Sequence, residues 1–318
     1  MANLGYIQVT RACNQTCRFC SNPPSGLELD LEEARRRVDG LAAQRYDGVI
    51  LTGGEPTLVP WLTDLVAHAA ARGLAPRIIT NGQRLAEGPL LDDLRAAGLR
   101  HLHVSLYSHD PEIHDGLTRN PGSHGRATRT LERVGERPGL TADVNCVIHR
   151  QNAGSLERVV ALVTDRFPHV RHLVFNNLDA RMERVAENPD TIPRLADLEV
   201  SLARALRLLE ARGLTFRVER VPLCYMAEWA HCSTETRKLV KGEERTIHFL
   251  DQKGTVRQQA QNFVHARAPA CAACRVSAIC AGLDGLGEWH DGAELYPLFL
   301  DPAEVAARVR REEGARGG

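Results

Sequence analysis

The sequence predicts an α/β fold with a parallel sheet of right-handed βαβ units, followed by a small cysteine-rich appendage. Three observations carry this. Six short β-rich runs alternate with helical patterns through the first two thirds of the chain. The alternation stops near residue 220. The nine cysteines gather at the two ends, with only Cys146 far from both groups. A length of 318 residues suits two domains or one large α/β barrel with an appendage.

The elements follow in order. "YIQVT" (6–10) reads as the first strand. In the next segment Asp30 suits an N-cap with Glu33 three residues on, and Leu31, Ala34, Val38 and Leu41 form one apolar stripe. "GVILTGG" (48–54) is the second strand, and the helix after it ends at Gly73 as the C′ residue. "PRIITNG" (76–82), "HLHVSLYS" (101–108), "ADVNCVI" (142–148) and "HLVFNN" (172–177) supply strands three to six. A long helix is expected over 191–212, closed by Gly213. Beyond 220, "RTIHFLDQKGTVRQQ" (245–259) reads as two short strands about an Asp-Gln-Lys-Gly turn. A last amphipathic helix over 302–313 precedes a frayed "GARGG" tail. "NPPSG" (22–26) is a loop, Cys146 a small buried core residue, and "RVRREE" (308–313) a solvated face.

Composition narrows the function. Hydrophobic residues make up 43% and charged residues 25%, with 40 basic against 40 acidic groups. This neutral balance points to neither nucleic acid nor a membrane surface as partner. No apolar run reaches the roughly 18 residues of a membrane span. "MANLGYIQVT" lacks the basic and apolar regions of a signal peptide, so a cytoplasmic location is expected. In that compartment thiols stay reduced, and tight cysteine clusters suggest metal or catalysis rather than disulfides.

"TRACNQTCRFCSNPP" places Cys13, Cys17 and Cys20 within eight residues, directly after the first strand. Two cysteines would suffice for a redox pair, and four would close a zinc site. Three thiolates can hold three irons of a [4Fe–4S] cluster and leave the fourth iron open. A zinc site would need a fourth ligand, which His103 or His109 could supply only through folding. "GGEP" (53–56) follows the second strand and "NG" the third. All three stretches therefore fall at the C-terminal ends of strands, where such sheets bind ligands.

On these residues the sequence resembles the radical S-adenosylmethionine (SAM) enzymes. "CNQTCRFC" is similar to their CxxxCxxC signature and "GGEP" to their GGE motif, over roughly residues 5–220. The resemblance implies a partial (β/α)6 TIM-like barrel over 1–220 and a SPASM/twitch-like auxiliary-cluster domain over 221–318. It implies that Cys13, Cys17 and Cys20 hold the cluster and that SAM binds the open iron. Phe19 then lies near the adenine, while Gly53, Gly54 and Glu55 receive the SAM amino group, the carboxylate complementing an ammonium. Ser105 and Asn145 match positions that reach the SAM carboxylate or ribose, and Arg119 is a further partner for the carboxylate. An electron donor such as flavodoxin or ferredoxin is expected.

"CAACRVSAIC" resembles part of the auxiliary-cluster signature, with one departure. The full pattern has a further cysteine after three intervening residues, where this chain has Asp284. One auxiliary [4Fe–4S] cluster is expected, on Cys271, Cys274, Cys280 and Cys224, the last preferred over Cys232 because "VPLC" follows the strand-like "TFRVERV". A structural zinc knuckle is the alternative. The expected activity is formation of a 5′-deoxyadenosyl radical that abstracts a substrate hydrogen. The substrate is expected to be a ribosomally made peptide lying in the lateral gap of a six-stranded barrel, near Asn176, Asn177 and Asp179. The chain starts at strand one, which counts against a peptide-recognition domain before it. A small metabolite is the alternative substrate, and a non-catalytic iron–sulfur protein the alternative class.

Overall fold

The computed structural model describes residues 3–251 and 254–314. The centre of the expected hairpin turn (252–253) and the tail from 315 onward lie outside the described residues. The strands are β1 (Leu4–Thr10), β2 (Gly48–Gly53), β3 (Ala75–Thr80), β4 (His101–Ser105), β5 (Thr141–Ile148), β6 (His172–Asn177), β7 (Thr215–Glu219), β8 (Arg245–His248) and β9 (Thr255–Gln258). The helices are α1 (Leu31–Ala43), α2 (Leu62–Ala71), α3 (Leu90–Ala96), α4 (Pro111–Thr118), α5 (Ser123–Gly135), α6 (Leu156–Arg166), α7 (Glu183–Ala186), α8 (Leu195–Ala211), α9 (Thr234–Lys241) and α10 (Pro302–Gly314).

One sheet holds all nine strands, in the order β7-β6-β5-β4-β3-β2-β1-β8-β9. Strands β1 to β7 run parallel and in chain order, as right-handed βα repeats require. The six expected strands are all present. The start of α1 is as the sequence predicts, with the Asp30 side chain accepting from the Glu33 N–H at 2.7 Å. Gly73, at φ +79°, lies just past the C-cap of α2. Cys146 is fully buried in the core.

Two features differ from the sequence reading. "TFRVE" is a seventh barrel strand, paired parallel to β6. Its outward residues Phe216 and Val218 are buried under helices, while Arg217 and Glu219 occupy the other face and mask the apolar alternation. The hairpin β8–β9 also joins the barrel sheet rather than standing apart, since β8 pairs parallel to β1 through Tyr6 with Ile247 and Ile7 with His248.

The lateral gap expected of six strands is thereby narrowed. Helix α9 packs beside β7, where Val218 bridges Ser233 and the Arg220 N–H donates to Glu235 Oε1 at 3.1 Å. Burial would raise the Glu219 carboxyl, but Lys238, Arg245 and Arg220 bring it below the usual range. Residues from β7, α9 and β8 thus form one buried ionic group across the opening. Among the described residues, no helix is long and apolar enough to cross a membrane.

Candidate active site

The loop after β1 carries the first three cysteines over the C-terminal ends of the strands. It is pinned from two sides. The N–H groups of Thr16 and Arg18 donate to the carbonyls of Thr118 and Leu117 at the end of α4, at 3.2 and 2.9 Å. On the other side, the Gly54 N–H donates to the Thr10 carbonyl at 2.6 Å and the Glu55 N–H to the Ala12 carbonyl at 2.8 Å. The glycines permit this second contact. A Cβ on Gly53, at φ +136°, would collide with the Thr10 carbonyl, and one on Gly54 with that of Ala12. Their small size therefore serves the approach of the β1 loop.

Glu55 differs from the sequence expectation. Its side chain is fully buried and caps the turn at Pro56 rather than lining the cavity. One carboxylate oxygen accepts from the Thr57 N–H (3.1 Å), the Thr57 hydroxyl (2.6 Å) and the Thr80 hydroxyl (2.8 Å). The other accepts from the Asn81 N–H at 2.7 Å. Burial pushes its carboxyl up, and these donors pull it back. Glu55 thus ties the ends of β2 and β3 together beneath the cysteine loop. Glu55→Ala leaves these donors buried without an acceptor, and the chain should lose about 3 kcal/mol or more of stability. Denaturant unfolding checks this, and a loss below about 1 kcal/mol would contradict it.

Cys13, Cys17 and Cys20 border one cavity of about 280 Å³, together with Phe19, Gly53, Gly54, Ser105 and Asn145. Ser105 and Asn145 are ladder partners on β4 and β5. The Phe19 ring is buried edge-on against Tyr107 (centroids 4.9 Å apart) and stacked on His149 (5.7 Å). Asn176, Asn177 and Asp179 border the same cavity. Arg119 does not. It ends α4 in the left-handed conformation, at φ +50°, and its guanidinium donates to Asn188 Oδ1 at 2.9 Å. His103, considered as a fourth ligand, sits at the middle of β4 and faces a different cavity.

The three thiols suit a metal centre. Burial raises all three, Cys13 to about 11. Cys13 and Cys17 are raised further by neighbouring members of the trio. Three such sulfurs become thiolates together only when cationic metal balances them.

A second cavity is bordered by Cys224, Cys271, Cys274 and Cys280. Cys232 is not among its lining residues. It is buried, with its Sγ 3.4 Å from His231 Nε2. Asp284, where the resembled pattern has a cysteine, points instead toward Asp179, which borders the first cavity. Its carboxylate pairs with Arg181 at 3.0 Å and adjoins Asp179, whose carboxyl is raised by burial and, against the pull of Arg220, by this neighbour.

The sequence reading missed several lining residues. Tyr107 follows β4 by two residues, and nothing in "SLYSHD" marks its ring as a wall of the cavity. Arg220 went unseen because β7 was not counted among the barrel strands. Asn81 was reachable through the "NG" after the third strand. It borders the cavity and donates to Asn14 Oδ1 at 2.7 Å.

Three buried thiols and two closely packed glycines thus meet over the C-terminal ends of a parallel partial barrel, a setting able to hold a metal cluster. Residues 7–163, just under half of the chain, match the Radical SAM superfamily and form a domain of that family. Members use a [4Fe–4S] cluster and SAM. A PqqA peptide cyclase of Xanthomonas axonopodis pv. citri is 36% identical over 163 residues, covering 50% of this chain and 43% of that protein. One of Ruegeria pomeroyi is 33% identical over 162 residues with the same coverage. The match thus spans less than half of these relatives' own length. Among solved structures, Streptococcus suis SuiB bound to S-adenosylmethionine superposes with a TM-score of 0.64 at 15% identity, covering 94% of this chain and 77% of SuiB. SuiB bound to its precursor peptide SuiA gives 0.60 at 16% identity, covering 79% and 58%. These likenesses show the fold.

Proposed function

We propose that the protein removes a hydrogen atom from a peptide substrate by means of a 5′-deoxyadenosyl radical derived from SAM. The observation that carries this reading is the convergence of the three cysteines, Ser105, Asn145 and the polar residues after β6 on one cavity. Cys13, Cys17 and Cys20 would hold a [4Fe–4S] cluster, which would supply the electron for SAM cleavage. The chain's own residues do the rest. Gly53, Gly54 and Glu55 hold the β1 loop in register with β2 and β3. The side chains of Ser105 and Asn145 reach the SAM carboxylate or ribose, and the Phe19 ring, locked between Tyr107 and His149, offers a face to the adenine. The cavity walls exclude water from the radical.

The peptide class rests on the relatives named peptide cyclases. The place for the peptide is beside Asn177, Asp179 and Arg220, where substrate would adjoin the 5′ carbon of SAM. The Asp284 contacts with Arg181 and Asp179 would then couple the auxiliary cysteine segment to this wall. Cys224, Cys271, Cys274 and Cys280 are the proposed ligands of one auxiliary [4Fe–4S] cluster, and flavodoxin or ferredoxin the proposed electron source.

The test is an anaerobic incubation of reconstituted enzyme, SAM and reductant with candidate precursor peptides, drawn from short open reading frames of the same genome. A change in peptide mass that tracks 5′-deoxyadenosine formation is the expected result. An unchanged peptide, with 5′-deoxyadenosine formation stimulated instead by a small metabolite that is itself altered, would overturn the peptide assignment.

A further inference from the structure

The barrel has a second interior cavity, of about 870 Å³, bordered by residues from the N-terminal ends of its strands, away from the cysteines. His103 lines this cavity, and His101, two residues before it on β4, faces the same side of the sheet. In the ladder to β5, His101 stands opposite Thr141 and His103 opposite Asp143. His101 Nε2 lies 3.0 Å from Asp143 Oδ2, and His103 Nδ1 lies 3.4 Å from the same oxygen. The ligating atoms of all three residues fall within 4.8 Å of one another.

The hydrogen bonds around the cluster hold its rings in place. Thr141 Oγ1 lies 2.7 Å from His101 Nδ1 and 3.1 Å from the Arg100 carbonyl, so one ring nitrogen of His101 is anchored while the other, Nε2, faces the Asp143 carboxylate at 3.0 Å. With its Nδ1–H donated to Thr141 Oγ1, His101 would present the Nε2 lone pair to a cation. His172 at the start of β6 is held likewise, its Nδ1 2.7 Å from Thr215 Oγ1. Histidines that ligate metals characteristically donate their other ring N–H to such an acceptor.

We propose that His101 Nε2, His103 Nδ1 and Asp143 Oδ2 form a binding site for a first-row divalent cation. The mixed imidazole–carboxylate set suits zinc or ferrous iron, and three protein ligands leave a coordination position facing the cavity. Both His103 and Asp143 border that cavity. The site lies on the face of the barrel away from SAM, and it stands whatever the substrate proves to be.

Zinc is the probe. Cluster-loaded enzyme is equilibrated anaerobically with zinc and desalted, and zinc and iron are counted per chain. Wild type should retain roughly one zinc, the stoichiometry of a single three-ligand site. Asp143→Asn and His103→Gln should each bind it at least about tenfold more weakly with iron unchanged. X-ray absorption on the wild type adds a readout that needs no variant. It should show only nitrogen and oxygen neighbours near about 2.0–2.1 Å, without the sulfur shell near about 2.3 Å that a cysteine site would give. Failure of the wild type to retain zinc, a sulfur shell around it, or equal zinc in both variants would overturn the assignment and leave the cluster as a proton-bridged ion pair.

Discussion

Replacing Cys13, Cys17 and Cys20 together by alanine is expected to abolish conversion of SAM to 5′-deoxyadenosine. The three sulfurs share one cavity wall, and no other cysteine borders that cavity. The remaining cysteines of the chain therefore offer no substitute ligand there. The loss should exceed a hundredfold, more than about 2.7 kcal/mol in barrier terms, because the electron source itself is gone. Product quantification by liquid chromatography under excess reductant checks this. Cleavage at the wild-type rate would contradict the assignment of these residues. The variant should still fold, since the loop is held by backbone contacts to α4 and β2 rather than by the thiols.

The second large effect concerns the other cysteine group. In the triple variant the protein should retain about four irons, the content of one [4Fe–4S] cluster. Adding Cys224→Ala should remove them, whereas adding Cys232→Ala should leave them. The reason is geometric. Cys224 borders the cavity of Cys271, Cys274 and Cys280, while Cys232 is buried beside His231. Iron analysis with a visible absorption spectrum decides it. Retention of zinc in place of iron, or loss of iron only on removing Cys232, would reverse the ligand assignment.

Strands β1 to β6 were legible because each is a short stretch with alternating or adjacent apolar residues, spaced by helical patterns and turn signals. The cysteine loop and the glycine motif were legible because their chemistry sits in contiguous stretches. What escaped the sequence was set by tertiary contacts. Strand β7 carries Arg217 and Glu219 on its inner face, and the cations that surround Glu219, Lys238 and Arg245, come from distant segments. The joining of β8 to β1 pairs residues some 240 positions apart, which no local pattern encodes. Glu55 was placed at the SAM ammonium because a carboxylate complements a cation. Its buried hydrogen bonds to Thr57, Thr80 and Asn81 show it spent on joining two strand ends. Arg119 carries a charge at the right height of the barrel, but its backbone turns the side chain to Asn188. Asp284 reads in sequence only as a missing cysteine, and the fold gives it Arg181 and Asp179 as partners.

The central claim is that three cysteines leave one iron open and that SAM binds it through its amino and carboxylate groups. Electron–nuclear double resonance on the reduced enzyme, with SAM isotopically labelled at the amino nitrogen and the carboxylate oxygens, tests this most directly. The account predicts hyperfine coupling from both labelled groups to the cluster spin, absent in the Cys13, Cys17 and Cys20 triple variant. A wild-type cluster that shows coupling from neither group, with SAM saturating, would contradict it.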